Sequence, residues 1–74
     1  MIINDAIKAM RDADGLTNAE LARRAGKSPQ FANDMYKRRD LAMSTSWKFA
    51  EAIGCEIVLR KQGERDGIII TAED

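Results

Sequence analysis

The side chains in this chain that could do chemistry are cations and amides, and they are crowded into one stretch. Between Leu21 and Arg39 stand Arg23, Arg24, Lys27, Lys37, Arg38 and Arg39, against Asp34 alone, a local balance of +5. A patch of that kind attracts phosphate whatever the total charge of the protein. Gln30, Asn33, Asp34 and Lys37 recur at three- and four-residue spacing, which lines them up on one outward helix face. The acids collect elsewhere: Asp5, Asp12 and Asp14 near the start, then Glu51, Glu56, Glu64, Asp66, Glu73 and Asp74 in the second half.

What is missing narrows the chemistry further. There is no histidine to act as a general base and no Gly-rich phosphate loop. With one cysteine, Cys55, no intrachain disulfide can form and the usual zinc spacings are absent. At 74 residues the chain is one domain, and a catalytic pocket would consume most of its core. The inventory argues against an enzyme and implies no cofactor, no metal and no small-molecule ligand.

The hydrophobic share of 45% and charged share of 32% describe a soluble globular domain, and no apolar run is long enough for a membrane span. Met1-Ile2-Ile3-Asn4-Asp5 lacks the basic start and apolar stretch of a secretory signal. An unpaired cysteine suits a reducing cytosol, so the expected location is cytoplasmic. Twelve basic and twelve acidic residues cancel, so the local patch, not the total, must carry any argument for nucleic acid.

These side chains need elements to hold them. Asn4 to Asp14 predicts a first helix, with Asn4 as N-cap, Gly15 as C′ residue, and Ile3, Ala6, Ile7, Met10 and Ala13 as its apolar stripe. Thr17 to Glu20 is a T-x-x-E capping box opening a second helix of about eight residues, which Gly26 stops. Ser28 as N-cap and Pro29 at N1 open a third, running to Tyr36 or Lys37 with Ala32 and Met35 inward. A basic loop, Arg38-Arg39-Asp40, leads to a fourth helix from near Ser44 to Gly54, with Phe49, Ala50 and Ile53 inward and Met43 plugging the core from the loop. Trp47 is assigned to the core or a dimer interface, and Cys55 to a small buried position.

Past Gly54 the pattern turns β-branched. Cys55 to Arg60 and Ile68 to Thr71 predict two strands around a polar turn, Lys61 to Gly67. A two-stranded hairpin is marginal alone in water. With Val58 on one face and Ile57 and Leu59 on the other, it should be covered by the helices on one side and by a second chain elsewhere.

Two short capped helices joined at a Gly form a helix-turn-helix layout. Asn18-Ala19-Glu20-Leu21-Ala22-Arg23-Arg24-Ala25-Gly26 resembles the Q-x-E-L-A-x-x-x-G run of the phage repressor and Cro-like (XRE) helix-turn-helix family. Phe49-Ala50-Glu51-Ala52-Ile53-Gly54 is similar to that family's I-A-x-A-L-G ending. The resemblance runs without gaps from about Ile3 to Gly54. It implies a mainly α (α+β) fold: four short helices with a lambda-repressor-like helix-turn-helix, then a C-terminal β-hairpin serving dimerisation. Residues 1–54 would be the DNA-binding part and 55–74 a dimerisation extension of the same domain.

The resemblance also implies roles. Asn18 takes the place of the amide residue that grips a phosphate at the start of the second helix. Ser28, Pro29, Gln30 and Asn33 match base-facing positions; Gln30 and Asn33 could pair with adenine, and Asp34 could accept from cytosine. Lys37, Arg38, Arg39 and Ser44 match the loop that touches the sugar-phosphate backbone. Lys27, in the turn, joins the DNA-contacting set although the family usually has a small or apolar residue there. Arg38 replaces a usual Gly, Met43 a frequent Pro, and Tyr36 a Glu that pairs with a helix-one arginine. A cation–π contact from Arg11 to Tyr36 would make up for that last change. Phe31 is expected either against a thymine methyl or against Trp47.

The partner implied is double-stranded DNA, bound by a homodimer through Ile57, Val58, Leu59, Ile68, Ile69 and Ile70. The function implied is a sequence-specific transcriptional regulator of prophage or repressor type. An alternative is the antitoxin of a toxin–antitoxin pair, with the Gly63–Asp74 tail facing the toxin. A third is a helix-turn-helix fold that has lost DNA binding.

Overall fold

The computed structural model describes residues 1–71. It contains four helices and one hairpin: α1 (Ile3–Asp14), α2 (Asn18–Ala25), α3 (Pro29–Met35), α4 (Met43–Ala52), β1 (Ile57–Arg60) and β2 (Gly67–Ile70). All six predicted elements form.

The helix ends follow local chemistry. Thr17 caps α2 by accepting from the Glu20 amide at 3.1 Å, and Ser28 caps α3 by accepting from the Phe31 amide at 3.2 Å. Only half of the Thr17–Glu20 capping box forms, because both carboxylate oxygens of Glu20 accept from Arg23 and Arg24 instead. After α1, α2 and α4 the chain turns through left-handed glycines, Gly15, Gly26 and Gly54. The amides just beyond them (Leu16, Lys27 and Cys55) bond back to Arg11, Ala22 and Ala50 carbonyls. α3 has no such glycine: its C-cap, Tyr36, stays right-handed.

Two predicted helix starts are corrected. α1 begins at Ile3 with Ile2 as cap, so Asn4 lies inside the helix and is fully buried. α4 begins at Met43 behind Ala42, and Ser44 makes no cap bond there. Met43 is 56% exposed and does not plug the core. Its place at the first turn of α4, not in the preceding loop, directs it to solvent.

The core is built from Ile7, Leu21, Ala22, Ala25, Ala32, Met35, Phe49 and Ile53. α2 packs on both α3 and α4, and α1 on α4. The alanines at the α2–α3 crossing let the two backbones approach. Phe31 has an aromatic partner beyond those predicted: its ring stacks on Phe49, centroids 6.0 Å apart and 11° from parallel. The α1 stripe is buried at Ile7 but opens toward its C-terminal end, where Met10 and Ala13 are exposed. Trp47 and Cys55 are half-buried.

The hairpin is antiparallel, pairing Ile57 with Ile70, Val58 with Ile69, Leu59 with Ile68, and Arg60 with Gly67. β1 starts two residues later than predicted, and Gly67 joins β2 rather than the turn. A β-carbon at Gly67 would lie 2.7 Å from the Leu59 carbonyl oxygen and 2.6 Å from Val58 Cγ1, so this pairing requires glycine. The expected helical cover reaches only the open end of the hairpin, where Ile57 and Ile70 are half-buried. Leu59 and Ile68 are each more than two-thirds exposed.

Candidate nucleic-acid interface

α2 and α3 pack together across the Gly26–Lys27 turn and bring two of the sequence-predicted residues, Asn18 and Asn33, into contact. Asn18, the first residue of α2, donates from its amide to Asn33 Oδ1 at 2.7 Å. The start of α2 and the outward face of α3 are thereby fastened side by side. Further along α3, Gln30 Nε2 donates to Asp34 Oδ1 at 3.0 Å, and Lys37 Nζ lies 3.7 Å from the same oxygen. Gln30 and Asn33 are exposed, and so are Ser28 and Pro29 at the α3 start. The side-chain amides of Asn18 and Gln30 thus each donate to a neighbour on this surface, while Asn18 Oδ1 has no hydrogen-bond partner among the described residues.

The turn residue Lys27 is half-buried, and its ammonium sits 5.0 Å from the centre of the Phe31 ring. This contact explains how a lysine is accommodated where a small residue is the family habit. Arg38 and Arg39, in the loop after α3, and Ser44, in the first turn of α4, are all exposed.

The loop is held from a distance. Asn4 Nδ2 donates to the Met35 carbonyl at 2.8 Å and also to the Arg38 carbonyl. Carbonyls at a helix C-terminus need partners from outside the helix. Elsewhere in this fold a glycine turn supplies them. At α3 the Lys37 and Arg38 amides bond back to the Asp34 and Met35 carbonyls, and the amide of a buried asparagine on α1 adds a second donor to Met35 and one to Arg38. That frees the position after α3 to carry Arg38. Sequence reasoning placed Asn4 as a helix cap and missed this role. The signal available was the missing glycine at Arg38 together with a polar residue in an otherwise apolar α1 stripe.

Arg11 and Tyr36 meet as expected, with the guanidinium carbon 5.6 Å from the ring centre. Arg11 also pairs with Asp12 at 2.6 Å. Burial pushes the Tyr36 phenol above its ordinary pKa, partly opposed by Arg11.

The basic patch is smaller than the sequence count. Glu20, one residue before that count begins, pairs with Arg23 at 2.5 Å and with Arg24 at 3.0 Å. The hydrogen bonds from Arg23 and then Arg24 pull the Glu20 carboxyl down to about 2, so it stays ionised through the neutral range. The cations not bound to Glu20 are Lys27, Lys37, Arg38 and Arg39. Among the described residues no three acidic, Cys or His groups are placed to hold a metal ion, and no helix is long and apolar enough to cross a membrane.

Residues 7–59 match a family model described as Helix-turn-helix, which spans most of α1, all of α2, α3 and α4, and β1 as far as Leu59. No curated protein and no solved structure matches the chain.

Proposed function

Because the chain belongs to the Cro/XRE-like helix-turn-helix family of DNA-binding regulators, we propose that it is a dimeric, sequence-specific transcription regulator of the Cro/repressor type that reads the major groove with α3. The observation that carries this reading is the Asn18–Asn33 bond. It sets a helix N-terminus, suited to a phosphate, directly beside an amide aimed outward from the next helix.

In this reading Asn18 and the first amides of α2 take a backbone phosphate. Ser28 and Pro29 enter the groove at the head of α3. Gln30 and Asn33 present amides to adenine, and Asp34 accepts from a cytosine amino group. Lys37, Arg38, Arg39 and Ser44 clamp the sugar-phosphate backbone past the end of α3, with Lys27 adding charge at its start. Pairing of two chains through Ile57, Val58, Leu59, Ile68, Ile69 and Ile70 would present two copies of α3 to half-sites about 34 Å apart.

The test is a salt titration of duplex binding. Log K should fall steeply with log salt, and the Arg38→Ala/Arg39→Ala variant should flatten the slope by about 3.6 per dimer, the share of two phosphates in each protomer. Absence of binding by the wild type at low salt overturns the reading. The antitoxin reading is favoured by one observation, the exposed apolar strands. A toxin-like reading frame co-transcribed with this chain, whose product it binds through the hairpin, would support that reading. Of the tail expected at that contact, Gly63–Asp74, residues 72–74 lie outside the described residues.

A further inference from the structure

A shallow apolar trough of about 280 Å³ runs between α1, α4 and the start of β1, with Ile3, Met10, Ile53, Cys55 and Ile57 in its walls. We infer that this trough is the seat of the hairpin from a second copy of the chain, in a reciprocal dimer where each hairpin lies in the other protomer's trough. This deepens the proposed dimer by naming the surface that receives the strands; the strands need not simply meet each other.

Four observations support a second copy as the occupant. The first is area. A compact monomer of 8.3 kDa is expected to expose about 4,600 Å². This chain exposes 5470 Å², an excess of roughly 900 Å² over that scaling. One partner's share of a standard interface is about 800 Å². The radius of gyration, 12.5 Å, likewise exceeds the roughly 11 Å of a compact chain this long.

The second is continuity. The register places Ile57, Ile70, Leu59 and Ile68 on one face of the hairpin. Ile57 is also a wall of the trough, so concave trough and projecting strands form one apolar surface. The third is self-complementarity. The chain carries both a hollow, edged by the half-exposed Met10, and an apolar projection tipped by Leu59 and Ile68. A two-fold axis matches such a pair twice. The fourth is charge: a net charge of zero sets no long-range repulsion against self-association.

The experiment is sedimentation velocity on the full chain without DNA, from about 1 to 100 µM, the range over which dimers of ordinary affinity dissociate. Wild type should be dimeric, and Leu59→Glu and Met10→Glu should each be monomeric with unchanged helical circular dichroism. An equimolar mixture of the two variants should regain a dimer species, because that pairing restores one intact hairpin–trough contact of the two. Met10→Lys serves as a second trough variant should Met10→Glu lose helix signal. If Leu59→Glu dissociates the dimer while both Met10 variants remain dimeric, the strands pair with each other and the seat is wrong. A monomeric wild type overturns both the seat and the dimer. DNA binding is measured separately by the salt titration, so its failure is distinguishable from either result.

Discussion

Asn4→Ala isolates the contact on which the basic loop depends. The wild-type amide is fully buried and donates to the Met35 carbonyl at 2.8 Å and to the Arg38 carbonyl. Two lost hydrogen bonds remove about 1–3 kcal/mol, while the Met35 carbonyl keeps the Arg38 backbone amide as a donor at 3.2 Å. One term works the other way: Asn4 Oδ1 is itself buried without a protein partner, so deleting it returns part of the loss. The net expectation is about 1–2 kcal/mol. A 74-residue domain holds roughly 4–11 kcal/mol in all, so the variant should still fold, with its melting temperature lowered by about 5–15 °C. Thermal and urea unfolding measure that part. The functional part is read by the salt slope at a temperature where the variant is folded. Freed from Asn4, Arg38 and Arg39 should drop out of the phosphate clamp, and the slope should flatten toward that of their double alanine variant. A merely structural role for Asn4 would lower stability and leave the slope of the folded protein alone. Loss of less than about 0.5 kcal/mol, the ordinary scatter of a surface substitution, would refute the capping argument itself.

Further expectations follow from the same contacts. Gln30→Ala and Asn33→Ala should each cost about 1–3 kcal/mol against a preferred site and little against random duplex, measured by competition binding. Glu20 should titrate near 2 by carboxyl NMR, and Arg23→Ala should move its midpoint back toward the ordinary value. Since the folded pKa is depressed, the contribution of this carboxylate is complete above the unfolded value near 4.3 and is lost only as pH falls through about 2. Gly67→Ala should disrupt the strand register, because its β-carbon would meet the Leu59 carbonyl oxygen at 2.7 Å; the strand amide shifts of the hairpin would report it.

The sequence revealed those elements whose ends are marked by local chemistry. Thr17, Ser28 and Pro29 fix where α2 and α3 begin, and left-handed Gly15, Gly26 and Gly54 fix where three helices stop, because caps act over a few residues. The readings that failed were non-local. Nothing adjacent to Asn4 distinguishes an N-cap from an amide reaching 31 and 34 residues along the chain. Phe31 lies on α3 at a position that periodicity allows to face either way. Its stacking on Phe49 joins α3 to α4, a contact set by tertiary packing and not by local pattern. Met43 was given a core role because it is apolar, but a residue opening a helix is turned by the helix, not by its own hydropathy. On the interface, residue types were legible, but the bond of Asn18 with Asn33 joins two helices that only the folded chain brings together. Gln30 with Asp34, and Glu20 with Arg23 and Arg24, are pairs three or four residues apart on one helix, within reach of helical periodicity.

That last pairing bears on how a chain of zero net charge could hold a polyanion. Had all six cations of the patch met phosphate, each protomer would contribute a slope of about −5, and a dimer about −11. With Arg23 and Arg24 held by Glu20, and Lys27 engaged with Phe31, three or four cations remain per protomer. A dimer on its site should then show a slope of about −5 to −7, and the monomeric Leu59→Glu variant about half of that. The wild-type value near −11 would mean that DNA draws Arg23 and Arg24 away from Glu20. In that case Glu20→Gln should strengthen binding without steepening the slope. If the pairs instead persist in the complex, Glu20→Gln should steepen it by releasing two cations per protomer. The two variants of the same measurement therefore decide whether the Glu20 pairs are part of the free protein only or of the bound state as well.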